Sequence, residues 1–367
     1  MHYVFFGITI LALSLCYKKK HKTGEKLPTI SFIVAAYNEE EIIRKKIIND
    51  LNLDYPKDKI EIIIISDGSS DDTYKISKEY QAFGIIAMHT PERKGKTNAL
   101  NRAARIAKNE ILVFSDANSM FKKNALKKLV RNFYDPIIGG VSGRKSIIKN
   151  SSRKASTGDH LFWKYESALK QAESHLGSIP TADGEIFALR KELFSEINPH
   201  IINDDMAITL NIIKNKKRVI YDQEAITEEE ASITLKDDFN VKARMVYGGI
   251  QIISNYKKIL NPLRSFFGLQ FFFHKTLRYF MWALLLLIFS LNLILFNQGL
   301  FFKTFLTLQV LFYLFAFIGH EINKNDKGKN PFYLPYYFCN VQLAAFNGFI
   351  YFLKDKSLIN IWQKAKR

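Results

Sequence analysis

Asp116 ends the apolar run of VFSDANSMF, and Asn118 follows two places on. Side chains two apart on extended backbone point the same way, so this pair could face one divalent cation, with an amide where a second carboxylate would make half of a metal site. Mg2+ and Mn2+ keep several waters and use one or two carboxylates together with substrate phosphates, so a single Asp beside an Asn is workable. The missing charge implies that the ion arrives mainly with a phosphate ligand, and Asn118→Asp is expected to tighten metal binding without one. Further carboxylates occur at Asp67 in IIISDGSSDDT and at Asp204 and Asp205 in INDDMAITL. Asp67-Gly68 is also ordinary turn chemistry, and Asn203, Asp204 and Asp205 also suit the cap of a helix MAITLNIIK. Arg93, Lys94 and Lys96 in RKGKTNALN add cations, although a basic triplet before a helix is commonly solvent-facing.

Strand ends are needed to bring these groups together. From Thr29 the chain reads TISFIVAAY, a continuous apolar run of strand length, then NEEEIIRKKIINDL with apolar residues at helical spacing. IEIIIISD, the Asp67-Gly68 turn and a helix opened by Ser and Asp repeat the pattern, followed by GIIAMHT with a helix from Thr97 to Lys108, and EILVFSD with a helix after Asn124. Strand, helix and strand in series predict an α/β fold with a mostly parallel sheet covered by helices on both faces. In such sheets ligands sit beyond the carboxyl ends of the strands, where Tyr37, Asn38, Glu39, Asp67, Lys94, Lys96, Asp116 and Asn118 concentrate. Neither Gly-x-Gly-x-x-Gly nor a Walker-type loop is present, so the edge is a nucleotide-type site without dinucleotide or ATP signatures.

Hydropathy divides the 367 residues into three regions. YVFFGITILALSLCY (Tyr3 to Tyr17) is followed at once by KKKHK, the reverse of a signal peptide's charge order. The positive-inside rule then places residues 1–22 as an N-terminal transmembrane anchor with the middle region in the cytosol. At about 15 apolar residues it is short for a span, and an interfacial or core helix is the alternative. A catalytic-type domain is expected over 28–260, an interfacial helix over 261–278, and a transmembrane region over 279–353, with spans at Tyr279 to Phe296 and Leu300 to Gly319. Phe332 to Leu353 carries Pro335, Asn340, Gln342 and Asn347, and a basic tail occupies 354–367. Four crossings would put that tail outside, so this stretch either breaks the rule or enters and returns on the cytosolic side. The two cysteines, Cys16 and Cys339, lie in apolar stretches, leaving a cysteine-free middle region compatible with a reducing cytoplasm. The net charge of +18 clusters beside apolar segments, which suits anionic membrane lipid. No nucleic-acid module shows its motif.

In order, AAYNEEE, IIISDGSSDDT, RKGKTNALN, VFSDANS, DGEIFALRKELF, INDDMAITL and RMVYGGIQ resemble the motif series of the membrane-anchored family-2 glycosyltransferases, which include cellulose, chitin and hyaluronan synthases and smaller bacterial sugar transferases. The resemblance covers residues 29–251, and the C-terminal helices agree in arrangement only. It implies a GT-A-like nucleotide-sugar-binding fold. Tyr37, Glu39 and Asp67 would surround a uridine-type base, with Asp67 accepting its ring N–H, and Lys96 would contact the diphosphate in competition with Arg93 and Lys94. Asp116 falls on the D-x-D position, so Asp116 and Asn118 would hold Mg2+ or Mn2+. Asp205 falls on the base position of the T-E-D motif, with Asp204 in the Glu position, and Gly184 and Asp204 would line the acceptor side. In the Q-x-x-R-W motif Gln becomes Val241, Arg244 is kept and could meet the diphosphate, and Trp becomes Met245.

These readings imply an inverting transfer of a sugar from a UDP-sugar to a glycan or lipid-linked acceptor at the cytosolic face of the plasma membrane, in cell-surface polysaccharide or glycoconjugate synthesis. The lost Trp makes addition of one or a few sugars at least as expected as processive polymer synthesis. A catalytically weak nucleotide-binding partner of another membrane enzyme is the alternative that the altered motifs suggest. A transporter would need more spans and an internal repeat. A second subunit is left open.

Overall fold

The computed structural model describes residues 2–148, 156–230, 235–324 and 331–354; within the expected basic tail, Lys356, Lys364, Lys366 and Arg367 lie outside the described residues. Two compact units divide the chain. The first comprises Met1–Ala231 with Tyr256–Phe271, the second Ser232–Asn255 with Phe272–Arg367. Residues 232–255 belong to the second of these units.

The first unit runs α1 (His2–Cys16), β1 (Ile30–Ala36), α2 (Glu40–Leu51), β2 (Ile60–Asp67), α3 (Thr73–Glu79), β3 (Ile85–Thr90), α4 (Lys96–Ile106), β4 (Ile111–Asp116), β5 (Met120–Phe121), α5 (Ala125–Val130), β6 (Ile138–Ile148), α6 (Ser156–Leu176), β7 (Phe187–Arg190), α7 (Asp204–Lys214) and β8 (Arg218–Glu230). The eight strands form one sheet in the order β3-β2-β1-β4-β7-β6-β8-β5. The expected parallel core is there: β1 pairs with β2 and β4, and β2 with β3, all parallel. The sheet as a whole is mixed, because β7 runs antiparallel to both β4 and β6, and β5 antiparallel to β8. Sequence periodicity could not show this, since pairing direction depends on which strands meet.

Ile33, Ile63, Ile65, Phe32, Val34, Ile62 and Ile64 are all buried, so both faces of the central strands are covered. That is why these strands read as unbroken apolar runs rather than as alternation. On one face Phe32, Val34, Ile62, Ile64 and Val113 pack with Ile43, Ile47, Leu126 and Leu129 of α2 and α5. With the strands locked in this way, their carboxyl ends are brought side by side.

The N-terminal helix has the short length read from the sequence. At 15 residues it measures roughly 22 Å, short of the ~30 Å hydrocarbon core. Its Phe6 and Ile10 pack on Leu169, Ala172 and Leu176 of α6, while Phe5, Ile8 and Leu15 stay exposed. A uniformly apolar sequence gives no sign that one face is claimed by another helix.

In the second unit, α8 (Leu235–Asn255) packs against the C-terminal helix through Val246, Ile250, Tyr279 and Ala345. The C-terminal helix is α13 (Tyr333–Leu353), and between it and α8 in sequence lie α9 (Phe266–Phe271, of the first unit), a π-helical turn Phe272–Thr276, α10 (Leu277–Tyr279), α11 (Met281–Ile294) and α12 (Leu300–Lys324). Among the described residues only Leu300–Ile322 is by itself long and apolar enough to cross a membrane, so one of the two expected spans stands by length. The other, α11, has only 14 residues and meets the helical segment before it at 71°; bent pairs of this kind pass the length test only together. The last apolar stretch is one unbroken 21-residue helix, so it does not turn back on itself.

Candidate active site

The carboxyl ends of β2 and β4, the start of α4, the segment before β7 and the start of α7 converge on one cluster. Asp116, the last residue of β4, accepts from Lys96 Nζ at 2.6 Å. Lys96 opens α4 behind Gly95, whose φ of 91° is outside the range most residues adopt. An alanine Cβ at Gly184 would lie 3.3 Å from Asp205 Cβ and 3.6 Å from Lys96 Nζ, so the glycine keeps that approach open. Four site residues named from the sequence, Lys96, Asp116, Gly184 and Asp205, are therefore neighbours in space.

Hydrogen bonds that no motif announces hold this arrangement. Thr97 Oγ1 donates to the Ile201 carbonyl at 2.8 Å, and the Asn101 amide bonds the backbone of Ile197 in both directions. These bonds tie α4 to the segment that leads into Asp204 and Asp205. Thr209 Oγ1 donates to the Asp205 carbonyl and accepts from Ala182 N–H, fixing α7 to the strand of residues ahead of Gly184. The N-cap residue of α7, Asn203, makes no side-chain capping bond, while Asp205 Oδ1 accepts from the Met206 N–H at 2.7 Å, so one of the three residues does bond a first-turn amide.

Burial and the adjacent Asp204 push the Asp205 carboxyl up to about 7, with Lys96 working against them. A carboxyl titrating near neutral pH can take a proton from a hydroxyl. Although burial works against its charge, the Lys96 ammonium is held well above its ordinary range by Asp116, Asp204 and Asp205. It is a permanent cation in the middle of the cluster.

At the end of β2, Asp67 is buried, and its Oδ2 accepts from the backbone N–H groups of Lys94 and Gly95 at 3.0 and 2.6 Å. Its Oδ1 has an ion-pair contact to Arg102 at 3.7 Å and no hydrogen bond. Desolvation raises its pKa, and the two amides lower it in part. The next residue, Gly68, has φ of 67° and lies against the Arg93 backbone, so turn and site coexist. Arg93 stacks on Tyr37 with its guanidinium 3.8 Å from the ring centroid. Glu39 is the N-cap residue of α2, its N–H bonded to Thr73 Oγ1. Of the three competing cations, Lys96 pairs with the β4 carboxylate, Arg93 lies on Tyr37, and exposed Lys94 pairs with Glu92.

Asn118 is placed differently from the expectation. β4 stops at Asp116 and residues 117–118 form a turn, so the alternation that would aim both side chains at one ion has already ended. The Asn118 amide donates to Glu229 instead. Among the described residues no group of three His, Cys, Asp or Glu side chains could hold a metal ion. Of the two residues expected as ligands, Asp116 keeps its place at the end of β4 beside Lys96. Arg244 is carried by α8 in the second unit.

The sequence reading passed over Lys145 and Glu185. Lys145 on β6 pairs with Glu185 at 2.9 Å and also with Glu229. Lys145 lies in GRKSIIKN, which belongs to none of the motifs, and Glu185 is the neighbour of Gly184 in DGE.

Residues 31–197 match the family profile described as Glycosyl transferase family 2. The chain carries a family-2 glycosyltransferase domain. The matched range of this domain holds Tyr37 through Gly184 and ends just before Asp204 and Asp205. The chain is similar to the poly-beta-1,6-N-acetyl-D-glucosamine synthase of Staphylococcus aureus (strain COL), with 29% identity over 259 residues, 68% of this chain and 60% of the relative. The synthase of that name from Staphylococcus epidermidis (strain ATCC 35984) is 26% identical over 260 residues, 69% of this chain and 61% of the relative. The matched part thus spans about three fifths of these relatives. A mannosyltransferase from Pyrobaculum calidifontis, solved in complex with GDP-Man and Mn2+, has the same fold at a TM-score of 0.71 and 20% identity, covering 96% of each chain. The family-2 domain therefore sits in a GT-A-like fold, with the mixed sheet described above.

Proposed function

We propose that this chain is an inverting glycosyltransferase that moves a sugar from a UDP-sugar to a glycan or lipid-linked acceptor in polysaccharide or glycoconjugate synthesis. The reading is carried by one observation: around Gly184, which has no side chain, the Asp205 carboxylate and the Lys96 ammonium, paired with Asp116, come together. Direct inversion needs a base for the acceptor hydroxyl and a positive counterpart for the departing diphosphate.

In this mechanism Asp205 takes the acceptor proton as the new glycosidic bond forms and the bond to the diphosphate breaks. Lys96 faces the charge that develops on the leaving oxygen. Asp67 is suited to a base N–H because one of its oxygens is buried without a hydrogen bond while loop amides fix the other. Tyr37 offers the ring beside it. Mg2+ or Mn2+, when bound, would offset diphosphate charge, and Asp116 is the residue to hold it, in company with the nucleotide's own oxygens. Arg244 is assigned a diphosphate contact on its place in the motif. The N-acetylglucosamine named for the relatives supports that sugar as the first donor to test.

Membrane attachment with the domain on the cytosolic side belongs to the same reading. Leu286, Leu287, Ile294, Leu300, Phe301, Leu308 and Phe317 on α11 and α12 are exposed, an apolar surface suited to lipid. Lys18, Lys19, Lys20 and Lys22 follow α1 and suit anionic headgroups.

The test uses the full chain in detergent with UDP-N-acetylglucosamine and Mn2+ or Mg2+, read by UDP release and by mass analysis of products. Wild type should turn over, and Asp205→Asn should lose turnover by roughly a hundredfold or more while still binding UDP. If a broad set of sugar nucleotides gives neither turnover nor nucleotide binding, the reading is wrong.

A further inference from the structure

A second cluster adjoins the reaction centre. Glu185 follows Gly184 directly, and its carboxylate is held by Lys145 at 2.9 Å. The same ammonium lies 5.0 Å from the centroid of the Trp163 ring on α6 and also pairs with Glu229, which in turn accepts from Asn118. Glu185 also lies within electrostatic reach of Asp205 and Lys96. A connected row of side chains thus leads from the Asp205 carboxylate through Glu185 and Lys145 to a half-buried indole, all within the first unit.

Resting on the transferase reading above, we propose that Trp163 and Glu185 form the acceptor subsite, and that it takes an uncharged, hydroxyl-rich sugar end rather than a phosphate-bearing lipid head. Three observations carry this. Sugar rings present an apolar face and a rim of hydroxyl donors, so a binding site needs an aromatic surface with a few fixed polar acceptors at its edge. Trp163 and the Glu185 and Glu229 carboxylates supply both around one lysine.

Charge argues in the same direction. Lys145 is outnumbered by Glu185 and Glu229, and the neighbouring Lys170–Asp183 pair is self-neutralised. A phosphate entering here would meet two carboxylates around a lysine that already pairs with both, whereas hydroxyl groups would find acceptors. Despite burial, Lys145 holds the Glu185 carboxyl well below the usual carboxylate range, so it remains an acceptor across ordinary pH.

The third observation concerns position 245. The motif alignment expects an aromatic platform there and finds Met245, on α8 of the second unit. Trp163 provides an aromatic surface in the same unit as Asp205, reached from it by the contacts above. Position 163 is far from that motif in sequence, which is why motif reading does not find it.

The test measures binding and turnover on the full chain in detergent. Calorimetry with a β-1,6-linked N-acetylglucosamine tetramer, at saturating UDP, should show binding to wild type that Trp163→Ala weakens about tenfold and Trp163→Phe largely restores. Glu185→Gln should weaken it by a smaller factor. In turnover with UDP-N-acetylglucosamine, Trp163→Ala should raise the KM for the tetramer about tenfold, well beyond any change in the donor KM. A polyprenyl phosphate should neither compete with the tetramer nor stimulate UDP release. Tetramer binding unaffected by Trp163→Ala, absence of tetramer binding to wild type, or preference for the polyprenyl phosphate each overturns the subsite. Loss of UDP release from wild type with every donor overturns the transferase reading instead, and the calorimetric comparison still decides the subsite.

Discussion

Lys96 Nζ stands 2.6 Å from Asp116 Oδ1, joining the first residue of α4 to the last residue of β4 across the mouth of the sheet. The pair places a cation against the carboxylate available to a metal ion, so ammonium and ion compete for it until diphosphate oxygens arrive to share the charge. Asp116→Ala should abolish turnover and remove any Mn2+ dependence of UDP binding, measured by calorimetry with and without Mn2+. Unchanged turnover in that variant would falsify the assignment of Asp116.

Asn118→Asp should not create a metal site independent of nucleotide, contrary to what spacing suggests. The new carboxylate would face Glu229, and like charges in contact are unfavourable. Mn2+ titration followed by electron paramagnetic resonance should show no tighter binding than wild type, and the melting temperature should fall by a few degrees.

The pH dependence follows from Asp205. Its carboxyl is raised from an ordinary value of 3.8 to about 7 by burial and by Asp204, so the rate should climb as pH rises through about 7, where the base becomes available. For stability the sign is the reverse. Between those two values the folded chain holds a proton that the unfolded chain has released, so stability falls as pH rises across that window. Asp205→Asn should therefore melt above wild type at pH ~8 and close to it at pH ~4, as differential scanning fluorimetry can show.

Gly184→Ala tests the contact between Asp205 and Lys96 without replacing a charged residue. Its methyl group would meet Asp205 Cβ at 3.3 Å and stand 3.6 Å from Lys96 Nζ. The fold should survive, while kcat drops about tenfold or more with nucleotide affinity changed little, since a displacement of the base is costly. A kcat equal to wild type would show that the acceptor hydroxyl does not pass beside Gly184.

Beneath the site, Lys46 and Asp50 are both fully buried and 2.9 Å apart, and Lys46 also donates to the Ser119 carbonyl at 2.7 Å. Lys46→Met leaves Asp50 without its partner and should cost roughly 3–5 kcal/mol, whereas Lys46→Met with Asp50→Leu should recover most of that. Urea unfolding of the three proteins measures the difference. Because Ser119 belongs to the turn after Asp116, the single variant should also weaken donor binding.

The apolar runs ended by Asp67 and Asp116, with helical spacing between them, are enough to place β1 to β4 and their carboxyl edge, because a strand buried on both faces must be apolar throughout. The motif order also picks out Lys96, Gly184 and Asp205, which the fold brings side by side. Other features were decided only by tertiary structure. The antiparallel β7 and the half-buried α1 depend on which elements meet, and neither pairing direction nor a packed helix face is written in hydropathy. Asn118 follows the same rule: its orientation depends on β4 ending at Asp116, and its partner Glu229 is 111 residues away. Thr97, Asn101, Lys145 and Trp163 acquire their places through contacts across the sheet that local spacing does not encode. Residue types and spacing determined which chemistry was available, and long-range packing determined which of those groups face one another.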